Sequence, residues 1–246
     1  MKIWAHRGAS SDAPENTLEA FRLAVEQGAD GIELDVQMSA DGALVVIHDE
    51  TLNRVSDGSG FVKDRTLAEL KALDFSKPRP GYGRVRIPEL SEVYRLVKET
   101  RLIVNVEIKS GIIPYEGIEL KLLQLERDMG MQGRILYSSF NHFSLLTLRD
   151  IKPNAAIGLL YADGWAHVPE YAKALNANAI HPSKYNMWVP NLTEHCHALG
   201  IAVHPWTIDA EEEIRAMADM QVDAIITNRP AFAIRVYRSH YGDMSR

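Results

Sequence analysis

Two stretches of the chain carry carboxylates where a buried strand ordinarily carries none. Residues 31–38 read GIELDVQM and residues 102–109 read LIVNVEIK. Side chains alternate faces along a strand. Ile32, Leu34 and Val36 therefore share one face, and Glu33, Asp35 and Gln37 the other. In the second stretch Val104, Val106 and Ile108 oppose Asn105, Glu107 and Lys109. The branched apolar faces suit packing against helices, so the polar faces must look into whatever the strands enclose. Burying ionised carboxylates without compensation is costly, and three on neighbouring strands also repel one another. One divalent cation would resolve both problems. An all-oxygen set suits Mg²⁺ or Ca²⁺, with Mn²⁺ also admissible, better than Zn²⁺. The competing reading puts the same charges on a solvent-facing sheet, or pairs them with Arg7 and Lys109.

Two histidines stand near these carboxylates in the pattern. His6 closes an apolar run in His-Arg-Gly, and His48 closes another in His-Asp. A histidine of near-neutral pKa can give or take a proton at physiological pH, although any lone histidine can equally be a hydrogen-bonded structural residue. His142, His167, His181, His195, His197, His204 and His240 take that structural reading, with His204 the exception because it lies on a strand-like run. Arg7 and Lys109 can serve an anion: a guanidinium fork matches two phosphate oxygens, and an ammonium acts as a point charge. Their alternative role is to balance the carboxylates. Trp206 could line a substrate pocket or belong to the core.

These residues need a scaffold that gathers strand ends. The expected strands are Ile3–Arg7, Gly31–Met38, Leu102–Lys109, Arg134–Phe140, Ala156–Tyr161, Ala179–Ser183, Ile201–Thr207 and Ala224–Thr227. Stretches of helical spacing lie between most of them, such as Leu18, Phe21 and Val25, or Ile118, Leu122 and Leu125. Asn16 followed by Glu19 suggests a helix start with a capping-box partner. Gly28, Gly130 and Gly200 fall where helices should end. Eight strands alternating with helices give an α/β fold, either a TIM (β/α)8 barrel or a doubly wound open sheet. No GxGxxG opens a helix after the first strand, which weakens the dinucleotide-binding version. One stretch interrupts the alternation. Residues 41–88 hold an expected hairpin (Ala43–His48), a loop (Asp57–Gly60), a short helix (Leu67–Leu73) and a Pro/Gly-rich run (Lys77–Pro88). We read it as an insertion between the second strand and its helix, within one domain spanning residues 1–246.

Composition narrows the function. With 246 residues, 46% of them hydrophobic, the chain matches one barrel domain in length and is globular. Its net charge of −6 and lack of a basic cluster argue against nucleic acid as a partner. A single cysteine, Cys196, excludes an intrachain disulfide. No signal-length apolar run follows MKIWAHRGAS, and no stretch reaches 18 uninterrupted apolar residues, so a cytoplasmic location without a membrane anchor is expected. A homo-oligomer is open: Tyr237, Arg238 and Tyr241 could mediate a dimer or form a solvated tail.

The chain resembles the glycerophosphodiester phosphodiesterases. Its matching motifs are His6-Arg7-Gly8, Pro14-Glu15-Asn16-Thr17, Glu33-Leu34-Asp35-Val36 and the run His48-Asp49-Glu50-Thr51-Leu52-Asn53-Arg54. Thr66-Leu67-Ala68-Glu69-Leu70, Ile87-Pro88-Glu89-Leu90, Glu107-Ile108-Lys109, Ser138-Ser139-Phe140, Trp206-Thr207 and Thr227-Asn228-Arg229-Pro230 follow in family order. The resemblance implies a TIM barrel with a small insertion after the second strand. It also implies a divalent cation on Glu33, Asp35 and Glu107, with His6 and His48 as general acid and base. Arg7 and Lys109 would contact phosphate, and Glu15 would lie beside the site or on the metal. The chain departs from the family pattern at Val55-Ser56, where a Thr pair is usual, and at Asp209, where Asn is common. The implied reaction is hydrolysis of a glycerophosphodiester, a small molecule, to sn-glycerol 3-phosphate and an alcohol. The alternatives are a lysophospholipase D or metal-dependent sugar isomerase on the same barrel, or a non-catalytic phosphate- or metal-binding barrel. A lipid enzyme should expose an apolar patch near the mouth.

Overall fold

The computed structural model describes residues 1–242. Eight parallel strands form its staves: β1 (Lys2–His6), β2 (Gly31–Met38), β4 (Ile103–Ile108), β5 (Ile135–Ser139), β6 (Ile157–Tyr161), β7 (Ala179–Pro182), β8 (Ala202–Val203) and β9 (Ala224–Thr227). They pair in the order β8-β7-β6-β5-β4-β2-β1-β9. The ends of that series meet through backbone bonds. Asp223 N donates to Val203 O at 3.1 Å, and Ile226 N to Pro205 O at 3.0 Å. The sheet is a nearly closed barrel, which removes the open-sheet alternative.

Strand β8 is much shorter than the expected Ile201–Thr207. Pro205 has no N–H to give to a ladder. The chain still runs beside β7 toward the mouth, because His204 N donates to Ile180 O and Trp206 N to Pro182 O, both at 3.0 Å.

The strand alternation sorts side chains into two layers. Ile32, Leu34, Val36, Val104 and Val106 face outward and pack with Phe21 of α1 (Leu18–Glu26) and Tyr94 of α3 (Leu90–Val97). The remaining helices, α4 (Ile118–Asp128), α5 (His142–Ile151), α6 (Val168–Ala174), α7 (Leu192–Ala198), α8 (Glu211–Asp219) and α9 (Pro230–Tyr241), complete the outer ring. Inside the barrel a smaller cluster of Trp4, Leu136, Ala179, Ala224 and Ile226 fills the floor. His204 packs there against Trp4 with its ring tilted by 53° and the centroids 4.5 Å apart. Tyr237 and Tyr241 lie on α9 and stack on each other at 5.2 Å, so they are helical rather than a loose tail. No described helix is long and apolar enough to cross a membrane.

The cap of α1 differs from expectation by one residue. Thr17 Oγ1 accepts from Ala20 N, and Asn16 is left-handed with φ 57°. Asn16 thereby turns its amide toward β2 instead of capping the helix. The expected helix-ending glycines do adopt positive φ: 81° at Gly28, 66° at Gly130 and 74° at Gly200.

The insertion lies between β2 and α3. It opens with β3 (Leu44–Val46), which pairs antiparallel with the end of β2, and it includes α2 (Leu67–Ala72), started by a Thr66/Glu69 capping box. It has its own apolar core of Val45, Ile47, Leu52, Val55, Val62, Leu70, Phe75 and Ile87.

Candidate active site at the barrel mouth

The turn after β1 sets the first two groups. Arg7 and Gly8 both have positive φ, 56° and 80°. Gly8 cannot be replaced there, because a Cβ would lie 2.6 Å from the backbone carbon of Ala20. This turn aims Arg7 N–H at Glu33 Oε2, 3.0 Å away. It folds the guanidinium back over β2, with Nη1 2.9 Å from Glu15 Oε1 and Nε 3.4 Å from Asp35 Oδ2.

Register brings the carboxylates together. His6 is level with Glu33, and Asp35 with Glu107, across adjacent parallel strands. One oxygen from each of Glu33, Asp35 and Glu107 lies within 4.8 Å of the others, and all three residues are buried. Burial and the neighbouring acids push the Glu33 and Glu107 carboxyls above the ordinary carboxylate range. Burial also acts on Asp35, but the charges of Arg7, His48 and Lys109 and a bond from Asn16 overcome it and hold Asp35 low. Asn16 Nδ2 donates to Asp35 Oδ2 at 2.8 Å, whereas Asp35 Oδ1 has no hydrogen-bond partner. Lys109 Nζ lies 2.9 Å from Glu107 and 3.8 Å from Asp35. Two crowded, proton-hungry carboxylates beside an orphaned buried oxygen fit a cation-binding set.

The insertion delivers His48. Gln37, on the inner face of β2, donates from Nε2 toward three consecutive carbonyls, those of Ile47, His48 and Asp49, at 3.3, 3.0 and 2.7 Å. Its Oε1 accepts from the Tyr115 hydroxyl at 2.8 Å. His48 Nδ1 meets Asp49 Oδ1 at 2.7 Å. Arg54 grips Asp49 through Nε and Nη2, and Glu15 through Nη1 and Nη2. The Arg54 bonds, then the bond to His48, hold the Asp49 carboxyl down at about 2. Glu15 therefore bridges two arginines and stands outside the carboxylate triad.

His6 Nδ1 meets Asn228 Oδ1 at 2.7 Å. Burial, and then the Arg7 charge, lower the His6 pKa to about 4. A cavity of about 180 Å³ joins His6, Arg7, Glu33, His48 and Glu107 on one wall to Phe140, Leu160, Trp206 and Ile226 on the other, with Asn105 between them. Phe140 and Trp206 meet edge to face at 5.6 Å, and Trp206 Nε1 donates to His181 O at 2.8 Å. Both amide atoms of Asn105 are buried without a partner. His204 lies below this space, with Nδ1 3.1 Å from His181 Nε2.

Several of these groups were not singled out by sequence reading. Asn105 and Gln37 sit on the same alternating polar faces as the acids, so their signal was present. Asn228 was marked only by its place in the Thr227-Asn228-Arg229-Pro230 motif, which does not reveal that it reaches His6 across 222 residues of chain.

The chain matches the model of the glycerophosphoryl diester phosphodiesterase family over residues 6–232. It is 46% identical over 237 residues to a glycerophosphodiester phosphodiesterase of Caldanaerobacter subterraneus subsp. tengcongensis, covering 96% of this chain and 97% of that one. An Oleispira antarctica phosphodiesterase, solved in complex with the product sn-glycerol-3-phosphate, superposes with a TM-score of 0.85 at 30% identity, covering 96% of each chain. A glycerophosphodiester phosphodiesterase of Agrobacterium tumefaciens superposes with a TM-score of 0.83 at 33% identity, covering 95% of this chain and 99% of that one.

Proposed function

The chain belongs to the glycerophosphoryl diester phosphodiesterase family, and on that premise we propose that it uses one divalent cation and two histidines to release sn-glycerol 3-phosphate and an alcohol. The observation that carries this reading is the cavity where two histidines, each anchored through Nδ1, face a guanidinium and the Glu33 and Glu107 members of a buried carboxylate triad. The product bound by the Oleispira relative supports the glycerol 3-phosphate end of the reaction.

Glu33, Asp35 and Glu107 would hold Mg²⁺ or Ca²⁺. When bound, such a cation offsets the acids' charge and stabilises negative charge on phosphoryl oxygens. Arg7 binds the phosphate from the cavity wall. Lys109, engaged with Glu107 and Asp35, adds positive charge from behind them. Asn105 offers a donor and an acceptor to a glycerol hydroxyl.

His6, neutral at pH 7 with a pKa of about 4, accepts the proton of the glycerol 2-hydroxyl as that oxygen attacks phosphorus. The bond from phosphorus to the other alcohol breaks. His48, held through Nδ1 by the Asp49 carboxylate, donates a proton to the departing oxygen. A cyclic phosphate results, and water opens it with the two roles reversed. Preorganised donors and charges at the phosphate supply electrostatic stabilisation of the transition state.

A panel of glycerophosphodiesters assayed for glycerol 3-phosphate tests this reading. Chelation should abolish turnover, and Mg²⁺ or Ca²⁺ should restore it; full turnover after exhaustive chelation rejects the cation. A cyclic phosphate trapped by phosphorus NMR separates the two-stage route from direct attack by water.

One observation favours a second substrate class, lysophospholipids. Ile112, Phe143, Tyr185 and Trp188 are 73–80% exposed, in segments following β4, β5 and β7 at the mouth end of the barrel. Such a rim suits an acyl chain or an aggregated substrate. Trp188→Ser should then slow lysophosphatidylcholine cleavage several-fold and leave glycerophosphocholine cleavage unchanged. Equal effects on both substrates reject the lipid reading.

A further inference from the structure

Asp209 lines neither the cavity nor the carboxylate triad, yet its carboxylate accounts for the orientation of the group that holds His6. Asp209 Oδ1 accepts from the Thr227 hydroxyl at 2.9 Å and from Asn228 N–H at 2.8 Å. Its Oδ2 lies 2.6 Å from the Asn228 side-chain nitrogen. An ionised carboxylate can only accept hydrogen bonds. The Asn228 side chain must therefore turn its NH2 toward Asp209 and its oxygen the other way. That oxygen meets His6 Nδ1 at 2.7 Å and the Ser10 hydroxyl at 2.9 Å. An amide oxygen cannot donate, so the imidazole must carry its proton on Nδ1. The lone pair of neutral His6 is left on Nε2, the atom 3.9 Å from Glu33 Oε2.

We propose that Asp209 is a positioning residue that fixes the tautomer of His6 through Asn228. The bonding pattern alone implies the tautomer. Its effect on turnover rests on the reading of His6 as the proton acceptor. The logic is the one by which an orienting carboxylate sets the tautomer of a catalytic histidine in other hydrolases, here passed through an intervening amide.

Asp209→Asn isolates the effect. One oxygen must remain with the Thr227 hydroxyl and Asn228 N–H, so the new NH2 faces the Asn228 side chain. Asn228 then turns its oxygen toward residue 209 and presents NH2 to His6. The ring answers by placing its lone pair on Nδ1 and its proton on Nε2, where it can no longer accept. The exchange variant D209N/N228D restores the pattern, since Asn at 209 donates to a carboxylate at 228, which again accepts from His6 Nδ1.

The experiment uses the full chain with ¹⁵N-labelled histidine, loaded with Mg²⁺, read by long-range proton–nitrogen correlation and by steady-state kinetics. Wild type should show His6 with Nδ1 protonated and Nε2 bare. D209N should move the proton to Nε2 and lower kcat by ~10²-fold with little change in KM, less than in a directly contacting carboxylate. D209N/N228D should recover both the ring signature and kcat. A wild-type ring signature in D209N overturns the proposal, whatever happens to turnover. So does an exchange variant that folds but keeps the D209N signature. A shifted proton in D209N with unchanged kcat supports the relay and rejects His6 as the acceptor.

Discussion

The mouth of the barrel is built in two halves by two kinds of force. The half formed by β1, β2, β4 and the insertion is a lattice of ion pairs and charged hydrogen bonds: Arg7 with Glu15 and Asp35, Lys109 with Glu107, Arg54 with Glu15 and Asp49. The half formed by β5 to β9 offers Phe140, Leu160, Trp206 and Ile226 to the same cavity, and beneath it two neutral histidines meet Trp4, His181 edge-on and His204 tilted. On the proposed reading, charge is gathered where phosphorus would be attacked, and the facing wall would exclude water and fix orientation by shape. The division also separates what should change rate from what should change affinity.

The largest effects should come from the charged half. His6→Ala and His48→Ala should each lower kcat by roughly 10²–10⁴-fold without changing the circular dichroism spectrum. The pair can be told apart with a substrate whose leaving group is an acidic phenol, which needs no proton. That substrate should rescue His48→Ala and not His6→Ala. Rescue of His6→Ala alone would reverse the assignment, and wild-type turnover in either variant would remove that residue from the chemistry.

Acid should act on the other half as well as on His6, whose pKa is also about 4. Burial lowers the His204 pKa to about 4, with Asp223 opposing it weakly, and burial and then His204 depress His181 further. A histidine depressed in the fold leaves the unfolded chain to bind protons first. Stability is therefore intact above 6.5, the ordinary value, and falls as pH drops toward 4. The His204 share is on the order of 3 kcal/mol. Denaturant unfolding across this range should show the loss, and His181→Gln/His204→Gln should flatten it. An unchanged slope in that variant would place the acid sensitivity in His6 and the low-pKa acids Asp35 and Asp49 of the charged half instead.

A smaller change is expected from Glu33→Gln. Without cation it removes one of three mutually repelling acids and should raise the melting temperature by about 2–4 °C, for ~1 kcal/mol. It should also abolish the stabilisation that Mg²⁺ or Ca²⁺ gives the wild type. A variant less stable than wild type without cation would show that the triad is satisfied by Lys109 and Arg7 alone. The slightest effect belongs to Phe140→Ala, which should raise KM a few-fold and alter headgroup preference while kcat stays near wild type. A matching fall in kcat would deny the separation of the two halves.

Sequence made part of this division legible. Glu33, Asp35 and Glu107 could be read as one cluster, because the two-residue period of adjacent strands converts spacing directly into a shared face. The barrel was readable for the same reason, except at β8, where Pro205 ends regular pairing inside an apolar run. The cap of α1 was misplaced because Asn16 and Thr17 both suit the position; Asp35, distant in sequence, claims the Asn16 amide. The supports of the histidines were the least legible. Gln37 holds His48 through backbone carbonyls, which leave no trace in residue type, and Asn228 reaches His6 only once the barrel has closed.

The separate apolar core of the insertion has a consequence for heat inactivation. His48 is carried by a subassembly whose own cluster contains eight buried side chains, far fewer than the layer around the barrel. Small cooperative units open at lower free energy than the whole domain. Arg54, Asp49 and His48 would leave together when this one opens, while His6 and the triad stay in place on their strands. If His48 acts as proposed, the enzyme would fall silent reversibly on warming, with its barrel intact and its carboxylate triad still assembled.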